Sequence, residues 1–307
     1  MPRPVIIDCD PGHDDAIALL LAFASPLDVR AVTVVAGNQT LPKTLSNTLR
    51  VLSFAGIQTE VAAGADRPLV RELVVAPQVH GESGLDGPVL PPPAYGPSPR
   101  PAWEVIAHTV RTSPRPVTLI PTGPLTNVAL ALLLAPDIRA NLEGITLMGG
   151  AAYEGNWTPA AEFNILVDPE AARIVFDCGV PITMVGLDVT HRAQVYPEDV
   201  LRLRGMGRRV ATMVAELLEF YGKYHVKFGF AGSPLHDPCA VAAVLEPGLV
   251  TTRHLRVDIE TRGEFTTGRT VVDFYGVTQR PPNAHVGLDI DRARFMEMLF
   301  AAMRHYE

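Results

Sequence analysis

The chain has 307 residues, of which 47% are hydrophobic and 19% are charged, so it contains enough apolar material to bury a large core. Its 26 Lys and Arg residues against 33 Asp and Glu residues give a formal net charge of -7, with no basic cluster or basic helix face. We therefore expect no nucleic-acid polymer as a partner.

Neither a secretory leader nor a membrane partner is expected. No basic region leads into an apolar signal core near the N-terminus, and the longest apolar runs are far too short to cross a bilayer. The three cysteines, Cys9, Cys178 and Cys239, are widely spaced in apolar surroundings, which favours reduced core thiols over a disulfide framework. These features predict a cytoplasmic protein.

The chain order of the elements indicates an α/β fold. A short apolar run, a polar turn and an amphipathic helix follow one another five times, which is typical of a largely parallel sheet covered by helices on both faces. We expect a single open, mostly parallel, Rossmann-like sheet. The predicted strands are at residues 5–7, 29–36, 116–120, 145–148 and 181–185, and the helices are at 14–24, 41–55, 103–112, 128–134 and 168–178.

Two stretches interrupt this pattern without dividing the chain. Residues 61–101 are rich in Gly and Pro and are predicted to be irregular, with a Pro-rich surface loop at 87–101. Thr126 is a candidate N-cap for the helix that follows it. Because no linker, charge block or internal repeat is present, we predict one domain spanning residues 1–307.

The last third of the chain predicts a helical cap region and a small C-terminal β element. Residues 197–224 are predicted to be helical in two pieces, broken near Gly205 and Gly207. A further helix is expected at 237–245, and the chain is predicted to end in a helix at 291–304. The later strands, at 254–260, 269–274 and 285–288, are expected to form an antiparallel edge or a subdomain.

Four carboxylates lie within eight residues between the first strand and the first helix. Asp8, Asp10, Asp14 and Asp15 would repel one another and raise each other's pKa unless a cation or strong hydrogen-bond donors compensate. A solvated acidic turn that caps the helix is the simpler alternative, but the flanking buried strand argues against it. We therefore expect a divalent metal here.

Other polar residues are predicted at the carboxyl ends of strands, where open α/β sheets bind their ligands. Most are oxygen donors, which suit Ca²⁺ first and Mg²⁺ second, and the sequence has no HExxH or CxxC pattern for zinc. Beyond the acidic cluster, the set consists of Asn38, Thr122, Asn164 and Asp188, with His236 and Asp237 at the start of a late helix.

The acidic segment 8–15, Asp-Cys-Asp-Pro-Gly-His-Asp-Asp, resembles the DxDxGxDD signature of the nucleoside hydrolases, the inosine-uridine-preferring nucleoside N-ribohydrolase family. Further segments resemble this family in the same order, over roughly residues 5 to 240. They are Gly37-Asn38, His80-Gly81-Glu82-Ser83-Gly84-Leu85, residues 121–127, Met148-Gly149-Gly150, Glu162-Phe163-Asn164, residues 168–172, residues 186–190 and His236-Asp237-Pro238.

The resemblance implies one Ca²⁺ per subunit, with Mg²⁺ as the less favoured ion. It places Asp10, Asp15, the main-chain carbonyl of Thr122 and Asp237 on the metal, and it makes Asp10 the base that takes a proton from the attacking water. Asp8 is left as a support behind these ligands. The implied reaction is hydrolysis of the N-glycosidic bond of a ribonucleoside, giving ribose and free base.

The resemblance also implies how the substrate is held. A site that contacts each ribose hydroxyl should reject 2′-deoxyribosides, because its own polar groups would be left unpaired. His236 is the implied acid for the leaving base, and His80, Tyr224 and Phe228 are implied in the base pocket. Phe228 departs from the polar or tyrosine pair of pyrimidine-preferring relatives, so base preference stays open. The implied hydroxyl contacts are Asp14 and Asn164 with 2′-OH, Asp237 and Asn38 with 3′-OH, and Asn156 and Glu162 with 5′-OH.

Two other functions remain open at this point. A Mg²⁺-dependent phosphohydrolase can also place Asp-x-Asp after a strand, although it would leave Asp14 and Asp15 unexplained. A non-catalytic nucleoside- or ribose-binding protein would keep the ribose contacts without needing Asp10 or His236. From the family we further expect a role in purine or pyrimidine salvage and assembly as a homodimer or homotetramer.

Overall fold

The computed structural model describes residues 2–306. The strands are β1 (Pro4–Cys9), β2 (Asp28–Val34), β3 (Val61–Ala63), β4 (Val117–Pro121), β5 (Leu142–Met148), β6 (Ile182–Val185), β7 (Gln194–Val195), β8 (Ser233–Pro234), β9 (Val250–Ile259), β10 (Thr270–Asp273) and β11 (Ala284–Ile290). The helices are α1 (His13–Phe23), α2 (Leu41–Phe54), α3 (Pro77–His80), α4 (Ala102–Thr112), α5 (Thr126–Leu134), α6 (Phe163–Val167), α7 (Pro169–Phe176), α8 (Leu187–Thr190), α9 (Pro197–Gly205), α10 (Arg209–His225), α11 (Asp237–Leu245) and α12 (Arg292–His305).

Nine strands form one open sheet in the order β10-β9-β11-β6-β5-β4-β1-β2-β3. Neighbouring strands pair in parallel throughout the series β3-β2-β1-β4-β5-β6-β11. The predicted open, mostly parallel sheet is therefore confirmed. Strands β7 and β8 form a separate antiparallel pair.

Alternating side chains of β1 separate two hydrophobic cores. Val5 and Ile7 belong to the core that contains α1, α2, α10, α11 and α12, whereas Ile6 belongs to the core that contains α4, α5 and α7. Successive side chains of a strand point to opposite faces, so a strand buried on both faces is apolar throughout. Helices therefore cover both faces of the sheet, as predicted.

The C-terminal strands extend this sheet and do not form a subdomain. Strand β11 pairs in parallel with β6 on one side and antiparallel with β9 on the other, and β9 pairs antiparallel with β10 at the edge. Of the two expectations for this region, the antiparallel edge is correct. The prediction of one domain over residues 1–307 includes Met1 and Glu307, which lie outside the described residues.

Two local predictions were wrong. The stretch 61–101 was expected to be irregular, but it contains the edge strand β3 and the one-turn helix α3. The sequence does not reveal β3, because a strand of three residues is too short to leave a periodic pattern. Thr126 is not an N-cap: Leu125 occupies that position, and the Thr126 hydroxyl donates to Asp168 Oδ2 at 2.7 Å. Tertiary contact thus determines the role of this hydroxyl.

The cap region consists of α9 and α10, which are separated near Gly205 and Gly207 as predicted. Gly207 has φ of 64°, a left-handed conformation that glycine adopts without strain. The C-terminal half of α10 contacts α1 and α3, and it therefore overhangs the carboxyl edge of the sheet. Within residues 2–306, no helix has both the length and the apolar character that crossing a bilayer requires.

Candidate active site

The carboxyl ends of β1, β2, β4 and β5 meet at one edge of the sheet, where they enclose a cavity of about 420 Å³. This volume lies within the range typical of small-molecule sites. The lining combines carboxylates and amides from strand ends with aromatic and histidine side chains from the cap, including Asp14, Asn38, His80, Thr122, Asn156, Glu162, Asn164, Tyr224, Phe228, His236 and Asp237.

We call the four carboxylates Asp10, Asp14, Asp15 and Asp237 the floor of this site. Each is at most 4% exposed. Oxygens of Asp14, Asp15 and Asp237 come within 4.8 Å of one another. Asp10 lies beside this group, since its amide donates to Asp15 Oδ1 at 3.3 Å. The structure therefore brings all four predicted side chains to one place.

Neutral donors hold the floor carboxylates in place. Asp15 accepts from the Gly12 amide at 3.0 Å, from the Thr122 hydroxyl at 2.8 Å and from the Asn38 side chain at 3.2 Å. Asp10 Oδ2 accepts from the Asn38 amide at 2.6 Å. The first turn of α1 contains Asp14 and Asp15, where the helix dipole favours negative charge.

Burial raises the pKa of every floor carboxylate, and repulsion from neighbouring carboxylates adds to this at Asp10, Asp14 and Asp237. Burial, followed by the charge of Asp15, raises the pKa of Asp14 to about 7 and that of Asp10 well above its usual range. Burial, followed by the charges of Asp14 and Asp15, does the same to the pKa of Asp237. No Lys or Arg among residues 2–306 forms an ion pair with these groups.

The floor fits a divalent cation. Asp10 Oδ1 is enclosed and has no hydrogen-bond partner in residues 2–306, so it is an acceptor that a cation could use. The converging donors are all oxygens, which suits a hard ion such as Ca²⁺ or Mg²⁺. The carbonyl oxygen of Thr122, the other predicted ligand, accepts from the Asn164 side chain at 2.8 Å.

The space around Asp10 is so tight that two neighbouring residues must be glycine. A Cβ atom at Gly37 would lie 2.2 Å from Asp10 Oδ2, and one at Gly123 would lie 2.5 Å from Oδ1. Real Cβ atoms do not approach other atoms this closely, so a larger residue would displace the carboxylate. The turns after β2 and β4 thus fix the position of Asp10.

Asp8 points to the face of the sheet that α5 covers. Its Oδ1 accepts from the Thr33 hydroxyl at 2.6 Å and from the Asn127 side chain at 2.8 Å, and Asn127 also accepts from the Ala65 amide at 2.8 Å. Burial raises the pKa of Asp8 to about 7. Asp8 therefore fastens the ends of β1 and β2 to α5, behind the floor.

Three predicted ribose contacts line the cavity next to the floor. Both oxygens of Glu162 accept backbone amides, including those of Gly150 and Asn164 at 2.9 Å each. Asn156 Oδ1 accepts from the Phe163 amide at 3.0 Å. Asp188, in contrast, does not line the cavity, because its carboxylate accepts from the Ala152 amide at 2.6 Å and anchors the loop after β5.

Histidines separate the floor from the cap. His236 lies at the start of α11, and its Nδ1 is 2.8 Å from the Thr190 hydroxyl. Burial lowers the pKa of both His236 and His80 well below the usual range, so both rings are neutral near pH 7. A neutral imidazole offers one donor and one acceptor nitrogen.

We call the aromatic residues Trp157, Tyr224, Phe228 and Phe230 the rim of the cavity. Tyr224 and Phe228 contact each other with ring centroids 4.8 Å apart. They do not share one regular helix, because α10 ends at His225 and Phe228 lies in the short 3₁₀ turn Val226–Phe228. Phe228 is 64% exposed.

Sequence reasoning assigned no chemical role to several residues that line the cavity. His191 and His225 are two of them, and neither is among the predicted site residues. His191 packs edge-on against Phe230 and His236, and His225 Nδ1 donates to the Tyr221 carbonyl at 3.1 Å. The only available signal was the concentration of aromatic and histidine residues in 220–236, which is equally typical of core packing.

The open, mostly parallel sheet is the architecture that the resemblance to the nucleoside hydrolases implies. The chain belongs to the inosine-uridine preferring nucleoside hydrolase family, whose model matches residues 5–297. It is therefore an enzyme, a ribonucleoside hydrolase, and the family that the sequence resembles is confirmed.

Two relatives match the chain from end to end. It is 56% identical to a pyrimidine-specific ribonucleoside hydrolase RihA of Shewanella woodyi, over 100% of this chain and 99% of the relative. It is 54% identical to the protein of the same name in Escherichia coli O9:H4, over 100% of both chains.

A solved structure shares the same architecture. The purine-preferring ribonucleoside hydrolase of Gardnerella vaginalis superposes with a TM-score of 0.92, covers 98% of each chain and is 30% identical. The fold is thus common to relatives whose names differ in base preference.

Proposed function

We propose that this enzyme hydrolyses the N-glycosidic bond of pyrimidine ribonucleosides with the help of one Ca²⁺ on the floor. The observation that carries the proposed chemistry is the convergence of buried carboxylates at the bottom of a nucleoside-sized cavity, with no Lys or Arg of residues 2–306 paired to them. Carboxylates so placed need a cation to remain ionised together near pH 7.

Asp10, Asp15, Asp237 and the carbonyl of Thr122 would hold the ion, with Mg²⁺ as the less suitable alternative. A bound Ca²⁺ would supply positive charge that makes a nearby water more acidic. The set of oxygen donors supports this assignment. The free lone pairs of Asp10 Oδ1 support a direct role for this residue.

Asp10 is proposed as the base that accepts the proton of the attacking water. Its other oxygen is already held by the Asn38 amide, which leaves Oδ1 for this purpose. A base must lie within hydrogen-bond reach of the proton that it removes. The Asp10 carboxylate packs closely against Gly37 and Gly123, and this close packing limits its movement. Hydrolysis passes through an oxocarbenium-like sugar, so an aligned water and an aligned leaving group both contribute.

The ribose is proposed to lie across the floor, where its hydroxyls meet polar side chains. Asp14 and Asn164 are assigned to 2′-OH, and both already line the cavity next to Thr122. A 2′-deoxyriboside would leave these buried groups without a partner, so it should be a poor substrate. The other assignments are Asn38 and Asp237 to 3′-OH and Asn156 and Glu162 to 5′-OH.

His236 is proposed as the acid that protonates the leaving base; because burial keeps its ring neutral near pH 7 in the free enzyme, it would take up this proton once substrate is bound. Its Nδ1 is held by Thr190, and the ring lines the cavity, where it would lie beside a bound base. His80, Tyr224 and Phe228 are proposed to surround the base. These aromatic faces would stack on a flat ring of either class.

The preference for pyrimidines rests on the relatives. Both full-length relatives described above carry the name pyrimidine-specific, and they are far more similar to this chain than the purine-preferring structure at 30% identity. The rim alone does not favour one base, because Phe228 is apolar. The similarity over the whole chain is therefore the reason for proposing a preference for pyrimidines.

A kinetic panel with Ca²⁺ tests the proposal. Uridine, cytidine, inosine, adenosine and 2′-deoxyuridine would be compared through kcat/KM, with p-nitrophenyl riboside as a substrate that needs no base recognition. We expect uridine and cytidine to exceed the purines by at least tenfold and 2′-deoxyuridine to be nearly inactive. Equal turnover of inosine and uridine would refute the pyrimidine preference but not the hydrolase chemistry.

The alternatives from the sequence receive no support from the comparisons. A phosphohydrolase would turn over p-nitrophenyl phosphate instead of p-nitrophenyl riboside, so this pair of substrates separates the two chemistries. A binding protein would retain ribose or inosine without turnover. We further propose that the chain is one domain, acts in nucleoside salvage in the cytoplasm and assembles as a homodimer or homotetramer.

A further inference from the structure

His13 lies inside the acidic segment but has no part in the proposed chemistry. Its ring is fully buried and stacks on Phe220, with centroids 5.2 Å apart and planes 1° apart. Both ring nitrogens have protein partners. Nε2 is 2.7 Å from the backbone carbonyl oxygen of Asp86, and Nδ1 is 3.0 Å from Nδ1 of His80.

The Asp86 carbonyl determines where the protons of this pair lie. A carbonyl oxygen only accepts, so His13 Nε2 must carry a hydrogen. A neutral His13 then has a bare Nδ1, which can only accept. The hydrogen between the two Nδ1 atoms must therefore belong to His80, and this leaves His80 Nε2 without a proton.

The main-chain amide of His13 is a competing donor, since it lies 3.3 Å from His80 Nδ1. If that nitrogen were bare, His13 would have to donate from both ring nitrogens and would be an imidazolium. Complete burial opposes this charge, because the polar partners of the ring in residues 2–306 are a histidine nitrogen and a carbonyl oxygen, and no carboxylate among them compensates it. We therefore assign the hydrogen bond of His80 Nδ1 to the ring of His13, at 3.0 Å, and not to the main-chain amide, at 3.3 Å.

His80 Nε2 opens towards the cavity. His80 lines the cavity, and its Nε2 has no hydrogen-bond partner in residues 2–306. This nitrogen is not among the fully enclosed atoms without a partner, so it is accessible from the cavity. Gly12 leaves room for the ring at this position, because a Cβ atom there would lie 2.5 Å from two of its atoms. Tyr221 stacks beside it at 5.5 Å.

We propose that His13 is a positioning residue that keeps the proton of His80 on Nδ1 and so presents Nε2 to the nucleobase as a hydrogen-bond acceptor. The inference rests on the proposed function in assigning the base to this part of the cavity. Such an acceptor suits a base with an N–H donor, namely N3–H of uracil or the exocyclic amino group of cytosine. His80 accepts, so the proton for the leaving base comes from another group.

The tautomer can be read directly, without turnover. Nitrogen NMR of ¹⁵N-histidine-labelled, Ca²⁺-loaded enzyme near pH 7 should show His80 protonated on Nδ1 and bare on Nε2. His13→Phe keeps the ring stack and removes both nitrogens, so it should move the proton of His80 towards Nε2. Phe220→Leu disturbs the stack alone and should leave the tautomer unchanged. A wild-type His80 with its proton on Nε2 would overturn the inference.

Kinetics test the consequence for the base. Relative to p-nitrophenyl riboside, His13→Phe should lower kcat/KM for uridine roughly tenfold, the worth of about one hydrogen bond. 3-Methyluridine, which lacks the N3 hydrogen, should already be poor with the wild type and should lose little more. In the His80→Gln background, His13→Phe should have little further effect on this ratio, because an amide oxygen does not depend on an imidazole proton.

The outcomes separate the two proposals. If His13→Phe lowers turnover of uridine and p-nitrophenyl riboside by the same factor, His13 is merely structural and the inference fails. If the wild type hydrolyses neither substrate, the proposed function fails, and the NMR measurement alone then decides whether His13 fixes the tautomer.

Discussion

The floor and the rim of the cavity are built in different ways. Floor carboxylates are at most 4% exposed and are held by backbone amides, hydroxyls and glycines at the ends of parallel strands. Three of the four rim residues lie at the end of α10 and just after it, where Phe228 is 64% exposed. A site made this way can keep its chemistry fixed while the surface that faces the base varies.

The largest expected effect comes from the floor. Asp10→Asn should lower kcat for uridine about 10³-fold or more with the fold retained, because the amide can neither remove a proton nor bring charge to a metal. The measurement is kcat at saturating Ca²⁺, with circular dichroism to check folding.

Asp8→Asn is the matched control for this variant. It makes the same chemical change two residues away, behind the floor, where an amide oxygen can still accept from Thr33 and Asn127. We expect its kcat to stay within about tenfold of the wild type. An equal loss in both variants would show that strand geometry, and not the Asp10 carboxylate, is what matters.

The next effect tests the boundary between the floor and the rim. His236→Ala should lower kcat for uridine about 10²-fold, because the departing base loses its proton donor. p-Nitrophenyl riboside should lose far less, since its leaving group departs without a proton. Equal losses on the two substrates would contradict the acid role.

The contrast also explains how far the sequence predicts the site. Asp10, Asp14 and Asp15 are close in the chain, so one segment between a strand and a helix identifies them, and parallel strands bring Asn38 and Thr122 to the same edge. These residues could be predicted because short-range sequence and sheet topology together determine their positions.

Other residues that reach the cavity from helices could not be predicted in the same way. His191, His225 and Tyr221 reach the cavity because α8 and α10 pack against it, and nothing in their spacing separates a lining residue from a core residue. Likewise, only the structure shows that His13 meets His80, 67 residues away. Contacts that depend on helix packing leave no local pattern in the sequence.

A smaller effect concerns stability. Burial raises the pKa of Asp14 to about 7 from its usual 3.8, so the metal-free folded state holds protons that the unfolded chain releases. The stabilisation from this group is complete below pH 4 and is lost as the pH rises to about 7. Metal-free enzyme should therefore lose stability over this range.

Calcium should reverse the loss, because it binds the deprotonated carboxylates. At 100 times its Kd, Ca²⁺ adds about 2.7 kcal/mol, which for a chain of this length raises Tm by about 4 °C. Thermal melts with Ca²⁺ and with EGTA should show this gain at pH 8 and a smaller one at pH 5. An identical gain at both pH values would contradict a carboxylate site.

The smallest expected effect lies at the rim. Phe228→Ala should change kcat/KM for uridine by about threefold and act mainly through KM, because an exposed ring that contacts Tyr224 removes little water from the base. Phe265→Ala is the matched control: Phe265 is 80% exposed and lies outside the cavity, so no change is expected. A loss above about thirtyfold, or a fall in kcat, would mean that Phe228 closes over the bound nucleoside. The rim would then share in aligning the reacting groups, and the separation between a fixed floor and a variable rim would fail at this residue.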